Sequence, residues 1–354
     1  MKQSPFLFHE KLTRIIVSKG LKRSQTDPCM FFRNGDQRII VITYVDDGLV
    51  VGKTKKMVLD FINSLTKDFK ITSKSLSFFL GIQISVNNNY DYHIHQARYV
   101  DKMLEKFGMT DCKEVSTPCD RSIYSIRAST GEARDEFRAI VGSLSYISIN
   151  SRPDIVFVTS YLCRYLDKSS PELVEIAKRV LRYLKGTRSL GITYRSGSTE
   201  GTVAFSDADH GSDPEDRISV SGAIIMRQSG PVIWHSTKQS SISISSMESE
   251  FYACSDTLKS VSWLSKLLSE LGIEEKITIF MDSQSAIAII KNPALYRRSK
   301  HIELRHCQVK EAYQKGRINI EFVPTQNQRA DGLTKPLNRA VLLQQRSLIN
   351  LEQW

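Results

Sequence analysis

The sequence predicts a mixed α/β protein whose last 150 residues build a mixed sheet with helices on its faces. Three observations lead there. Strand-like and helix-like runs alternate along that region, and its adjacent strands are followed by helix–strand units. Hydrophobic residues make up 41% and charged residues 25%, the balance of a globular chain, which excludes a collagen, a largely disordered chain or a membrane bundle. At 354 residues the chain has room for two or three domains. No window nears the ~20 uninterrupted apolar residues of a membrane span, and the stretch from Met1 to Glu10 has no apolar core of secretory length. Cysteines 29, 112, 119, 163, 254 and 307 include no C-x-x-C pair. They point to a reduced, intracellular chain without a targeting signal rather than a zinc protein.

Residues 38–52 place two β-rich runs around Asp46-Asp47-Gly48, a hairpin signal. Met57, Val58, Phe61, Ile62 and Leu65 then recur at helical spacing, which predicts a helix over 53–69. Strand runs at 78–84 and 92–95 flank the turn Asn87-Asn88-Asn89, and an amphipathic helix over 97–107 ends at Gly108. Residues 111–135 are polar and read as a linker. Helical patterns resume at Phe137, break at Arg152-Pro153 and continue through Arg164; Pro171 opens another helix, closed by Gly186. A second boundary falls at 196–201. Strands are expected at 202–206, 223–227, 232–234, 276–281 and 318–323, with helices at 246–271, 283–291, 302–315 and a short one from about 328. The expected domains are therefore 1–110, 111–200 and 201–340, with a tail at 341–354.

Acidic residues fall where chemistry on a phosphodiester would need them. Asp207 and Asp282 stand at strand ends, and Asp331 on the short helix ended by Pro336. Asp282 either serves the site or caps the helix that follows it. Glu250 lies on the long helix about 70° from the midline of the apolar face formed by Met247, Phe251, Cys254, Leu258, Val261, Leu264 and Leu268. Glu248 lies on the other side of that midline and is the alternative. Such carboxylates can hold two hard divalent ions, Mg²⁺ or Mn²⁺, about 4 Å apart. The 49 Lys and Arg outnumber the 38 Asp and Glu, a net charge of +11, which favours a polyanionic partner, nucleic acid ahead of a membrane. Lys178, Arg182 and Lys185 share one helix face and, with Arg179 and Arg188, could track a phosphate backbone. His93 and His95 on one strand, and His301 and His306 about a helix, read as structural histidines.

These residues resemble a known family. Phe205-Ser-Asp-Ala-Asp209, Ser219-Val-Ser-Gly222, Trp234 with Lys238-Gln239, Ser245-Ser-Met-Glu-Ser-Glu-Phe-Tyr252, Met281-Asp-Ser-Gln-Ser-Ala-Ile287, Lys300-His-Ile-Glu303, Val323-Pro-Thr325 and Ala330-Asp-Gly-Leu-Thr-Lys-Pro336 resemble the ribonuclease H domain of copia-type retrotransposon Pol polyproteins. Tyr44-Val-Asp-Asp47, Phe79-Leu-Gly-Ile-Gln83 and Gln96-Ala-Arg-Tyr-Val100 resemble the downstream part of the same polyprotein's reverse transcriptase. Arg152-Pro-Asp154 and residues 179–187 resemble its connecting region.

The resemblance implies a ribonuclease H-like mixed sheet, preceded by a truncated reverse-transcriptase palm and a helical connection. It places the catalytic carboxylates and ligands of two Mg²⁺ or Mn²⁺ ions on Asp207, Glu250, Asp282 and Asp331, with Asp46 and Asp47 as polymerase-type ligands. The implied activity is hydrolysis of the RNA strand of RNA–DNA hybrids by a metal-activated water, leaving a 3′-OH and a 5′-phosphate. The implied partners are the hybrid, other nucleic acid and other Pol segments, in a cytoplasmic virus-like particle or the nucleus, with no membrane. His210 stands where the family often has Trp. Only 43 residues precede Tyr44, and the family's upstream metal-binding Asp and fingers are not among them, so primer extension by this chain alone is not expected. The rival readings are a non-catalytic hybrid-binding relic and a reverse transcriptase completed by a separate upstream segment.

Overall fold

A meander of short strands follows the first helix; β-branched and aromatic residues favour it, and residues 39–44 alternate between buried and more open positions. The computed structural model describes residues 4–126, 134–292 and 303–354. Helix α1 (Ser4–Ser18) leads to β1 (Lys22–Arg23), β2 (Met30–Arg33), β3 (Ile39–Tyr44) and β4 (Asp47–Gly52), antiparallel neighbours in that order. Tyr44 pairs with Asp47, so Val45 and Asp46 make the hairpin turn, earlier than the Asp46-Asp47-Gly48 motif suggests. Helix α2 (Lys55–Leu65) is shorter than its pattern, and Thr54 caps it by accepting from the Met57 N–H. Strand β5 (Phe78–Phe79) follows. Ile16, Leu21, Phe31, Ile39, Val41, Phe61 and Leu65 form the core of this unit, which comprises residues 1–80 with Ser262–Glu275. Glu270 belongs to it: its carboxylate accepts from the Thr26 N–H and hydroxyl at 2.9 and 2.6 Å.

The second unit comprises Gly81–Val261 and Lys276–Trp354. Strands β6 (Ile82–Val86) and β7 (Tyr92–His95) precede α3 (Ala97–Lys106), which ends before Gly108 at a φ of 63°. Helices α4 (Arg134–Asn150), α5 (Val156–Cys163) and α6 (Pro171–Gly186) share one core with it, including Phe137, Leu144, Leu162, Leu173 and Leu181. The stretch read as a linker packs into this core: Thr117, Pro118 and Cys119 are buried, and a 3-10 turn over Arg121–Ser125 inserts Ile123. Its polar composition concealed a few apolar anchors. Gly131 of that stretch, and His301 with residues 300–302 of the Lys300–Glu303 motif, lie outside the described residues, as does the side chain of His306.

Strand β8 (Leu190–Tyr194) joins β7 antiparallel. Strands β9 (Val203–Ala208), β10 (Val220–Arg227) and β11 (Gly230–Lys238) are followed by α7 (Ser246–Glu270), β12 (Ile277–Met281), α8 (Gln284–Lys291), α9 (Glu303–Gln314) and β13 (Ile318–Phe322). Their sheet runs β11-β10-β9-β12-β13, antiparallel across β11, β10 and β9 and parallel across β9, β12 and β13. This is the ribonuclease H-like mixed sheet that the resemblance implied. The expected short helix from 328 is instead a 3-10 turn, Asp331–Leu333; Gly332 and the nearby Pro336 disfavour a longer one. Residues expected as a tail form α10 (Arg339–Leu348), capped by Asn338, and β14 (Leu351–Gln353), which pairs with β8. No helix among the described residues is long and apolar enough to cross a membrane.

One buried ion pair ties the helical layer together. Arg152 and Asp154 side chains are each 1% exposed and meet in a two-point pair at 2.8 and 2.7 Å. The Tyr183 hydroxyl donates to Asp154 at 2.6 Å, and Arg152 donates to the Thr187 carbonyl and hydroxyl. Burial alone would push Asp154 up, but the Arg152 charge and these bonds hold it below the usual carboxylate range. Breaking a buried pair leaves one charge stranded. Arg152→Met is expected to cost about 3–5 kcal/mol in urea unfolding, and Arg152→Met with Asp154→Leu much less. Equal losses in the single and double variants would show that the pair is not what holds this layer.

Candidate active site

Parallel pairing of β9 with β12 brings the ends of both strands side by side, and each carries a carboxylate there. Asp207 lies one residue before the end of β9, opposite Gly222 of β10, and is buried. Asp282 follows β12; Ser283, not Asp282, caps α8 by accepting from the Ala286 N–H. That frees Asp282, whose Oδ2 accepts from the Thr325 hydroxyl at 2.8 Å. Glu250 projects from the first turns of α7. One carboxylate oxygen each from Asp207, Glu250 and Asp282 lies within 4.8 Å of the others.

Glu248 is buried too but is occupied otherwise. It accepts from the Ile244 N–H at 2.7 Å and the Tyr252 hydroxyl at 3.3 Å, so it stabilises the start of α7. Asp331 stands outside the group of three. Its Oδ1 lies 2.5 Å from Lys335 Nζ, while its charge reaches Asp207. The Thr334 hydroxyl donates to Asp207 Oδ2 at 2.7 Å and sits 3.0 Å from the Asp331 carbonyl oxygen, fixing the turn that carries Asp331 against β9.

Electrostatically the arrangement is unfavourable as it stands. Burial first, and then the charge of Asp331, pushes Asp207 up to about 7. Burial first, then Asp207 and Asp282, pushes Glu250 up to about 9. Glu250 Oε2 is buried with no hydrogen-bond partner. Converging hard oxygen donors, one of them orphaned, fit Mg²⁺ or Mn²⁺ rather than a softer ion.

Other expected site residues are placed differently. Asp46 and Asp47 are exposed at the hairpin, and neither belongs to a three-ligand cluster among the described residues. The basic stripe on α6 is largely engaged within the chain. Lys178 pairs with Glu136 at 2.8 Å, Arg179 with Asp120 at 3.2 Å, Lys185 donates to the Cys112 carbonyl, and Arg188 pairs with Asp101 at 3.0 Å. Arg182 is half-buried. The stretch that resembled a linker supplies several of these acceptors, which is why the stripe looked free in the sequence. His93 is buried, bonded to Thr193 at 3.1 Å and stacked on Trp354, the structural role expected of it.

Thr325, Thr334, Lys335 and Gly222 support the site without having been singled out, although three of them lie within quoted motifs and Thr325 ends another. Gly222 is required for space. A Cβ there would stand 2.8 Å from Thr334 Cγ2 and 3.0 Å from the Ala330 carbonyl oxygen, so only glycine lets the Asp331 turn lie flat on β10.

Residues 1–121 match a family model described as reverse transcriptase (RNA-dependent DNA polymerase). Over 347 residues, 96% of this chain, the sequence is 32% identical to the retrovirus-related Pol polyprotein from transposon RE1 of Arabidopsis thaliana, of which 23% is covered. It is 30% identical to a transposon Ty5-1 protein of Saccharomyces cerevisiae over 74% of this chain and 86% of that protein. The chain spans about a quarter of the length of the curated Pol polyproteins it matches. Among solved structures, a foamy viral protease-reverse transcriptase in complex with double-stranded DNA shares the fold, with a TM-score of 0.51 at 12% identity over 91% of this chain and 49% of that one.

Gly222→Ala is expected to cost about 1–3 kcal/mol through the clash with the Asp331 turn. Gly142→Ala, in α4 with no atom within 4 Å of the added Cβ, should be neutral or stabilising by up to about 1 kcal/mol. Denaturant unfolding of both variants checks this. A neutral Gly222→Ala would mean the turn is not held by this close approach.

Proposed function

The chain belongs to the Pol polyproteins of copia-type retrotransposons, and on that premise we propose that it hydrolyses the RNA strand of RNA–DNA hybrids at the Asp207, Glu250, Asp282 and Asp331 site. The observation that carries this reading is the convergence of Asp207, Glu250 and Asp282, with a buried Glu250 oxygen left unpartnered. Such a donor set has no evident structural use, since each carboxylate raises the cost of ionising the next. It gains a purpose when cations are bound.

Asp207, Glu250 and Asp282 would hold one Mg²⁺ or Mn²⁺ ion, and Asp331 with Asp207 would complete a place for a second. Bound there, divalent ions supply charge stabilisation at a phosphodiester and lower the pKa of a water. The chain's own residues fix the geometry. Thr334 and Thr325 orient Asp207 and Asp282 by donating to one oxygen of each. Glu250 is set in a helix and buried, with the buried Cys254 one turn on. Selecting RNA over DNA calls for contacts to a 2′-OH beside the cleaved phosphate.

On this reading, 201–340 is the ribonuclease H domain, 1–110 the downstream part of a reverse transcriptase and 111–200 the connection. The partners are the hybrid and other Pol segments. Arg188, 56% exposed, keeps more of itself open to phosphate than Lys178, Arg179 or Lys185, so a grip on the hybrid through the α6 face would centre there. A second reading, a polymerase requiring an upstream segment, is favoured by the reverse-transcriptase match over 1–121 and by Tyr44-Val-Asp-Asp47 at a hairpin.

The test is purified protein with Mg²⁺ or Mn²⁺ on a labelled RNA–DNA hybrid, with a DNA duplex as control. Cleavage of the RNA strand alone is expected. Asp282→Asn should abolish it without unfolding the protein, and Glu250→Gln should impair it more than Glu248→Gln. A folded Asp282→Asn protein that cleaves like the parent would remove the site assignment. Templated primer extension lost in Asp46→Asn would favour the second reading.

A further inference from the structure

Among the described residues, Lys335 sets a cation against one of the carboxylates. Its ammonium lies 2.5 Å from Asp331 Oδ1, four residues back along the chain. The intervening 3-10 turn is fixed at both ends. Thr334, next to Lys335, donates to Asp207, and Gln328 donates to the Ser206 carbonyl of β9 at 2.9 Å. The backbone beneath the pair is therefore rigid while the Lys335 side chain remains 44% exposed, with room for its end to move. The charge of Lys335 is also felt at Asp207 and Glu250, where it opposes the upward push of burial.

Resting on the divalent-ion reading above, we propose that Lys335 is a built-in counter-ion. It latches Asp331 outside the group of three, and the site takes up its second divalent ion only as that latch opens. Two observations converge on this. Asp331 is close enough to Asp207 for its charge to matter, yet it does not join the three converging oxygens. And the Asp331 oxygen facing the Lys335 ammonium is buried and accepts no hydrogen bond, so it has little access to water if the ammonium leaves without a replacement cation. An ammonium and a divalent ion thus compete for one carboxylate. Among the described residues no lysine or arginine forms an ion pair with Asp207, Glu250 or Asp282, which would hold the first ion, and the two ions bind with separated affinities.

The experiment is calorimetric titration of the full chain with Mn²⁺, without nucleic acid, alongside thermal unfolding of the metal-free protein. The variants are Lys335→Gln, Lys335→Arg and Asp331→Asn. The parent is expected to bind in two steps. Lys335→Gln should tighten the weaker step roughly fivefold, the scale of a partly exposed ion pair, and should lower the metal-free unfolding temperature. Lys335→Arg should keep both parent affinities, and Asp331→Asn should remove the weaker step and spare the tighter one. A weaker step that is unchanged or loosened in Lys335→Gln overturns the latch, the loosening meaning that Lys335 only props Asp331 into place. A parent that binds no Mn²⁺ overturns the divalent-ion reading and the latch together.

Discussion

The mutual repulsion of carboxylates gathered out of water is the constraint around which the second unit is organised. Asp207 and Glu250 are buried beside Asp282 and Asp331, and each is pushed up by burial and by its acidic neighbours. A sheet with parallel β9 and β12 forces two of them together at adjacent strand ends. The start of α7 brings the third, and a turn pinned on β10 brings Asp331. Both shifts favour the protonated forms of Asp207 and Glu250. Hydroxyls from Thr325 and Thr334, the ammonium of Lys335 and the missing side chain at Gly222 hold them in place.

The surrounding fold supplies the stiffness this requires. Phe205, Ile224, Met226 and Leu333 pack into one cluster with Leu190, Ile192, Ile349 and Leu351. The site sheet and the β14-β8-β7-β6 sheet therefore share a core, through residues at the very end of the chain. On the helical side, the Arg152–Asp154 pair anchors α6 through Tyr183 and Thr187. The intrachain partners of Lys178, Arg179 and Lys185 show a basic face used for assembly of the unit itself, a use that net charge cannot distinguish from nucleic-acid binding.

Much of this was legible in the sequence because periodicity and breakers carried it. The strands and helices from α6 onward follow alternating or 3.6-residue patterns, and α6 itself is opened by Pro171 and closed by Gly186. Asp207, Glu250 and Asp282 could be found because strand ends and a helix face are local properties. What was missed depended on long-range packing. Residues 117–123 looked like a linker because only Cys119 and Ile123 mark their burial, and α10 and β14 looked like a tail because β14 pairs with β8, far back in the chain, and α10 is anchored through Gln344 and Gln345 to the carbonyls of Gln326 and Gln328. Glu248 and Glu250 could not be separated by helix angle. They part company only because the Ile244 N–H and the Tyr252 hydroxyl engage the first. The turn at Asp331 was read as a helix because propensity does not register the hydroxyl of Thr334 bonding across to Asp207.

The central claim is that this fold stores electrostatic repulsion that divalent cations relieve. Thermal unfolding of the parent and Glu250→Gln, each without metal and with Mn²⁺, tests it most directly. Glu250, pushed up to about 9, holds a proton at neutral pH, so the substitution removes the cost of keeping that carboxyl neutral; it should raise the metal-free unfolding temperature by about 2–4 °C for each 1 kcal/mol of that cost, and should abolish the rise that Mn²⁺ gives the parent. A Glu250→Gln protein that is less stable than the parent without metal, or that gains as much from Mn²⁺, would contradict the account.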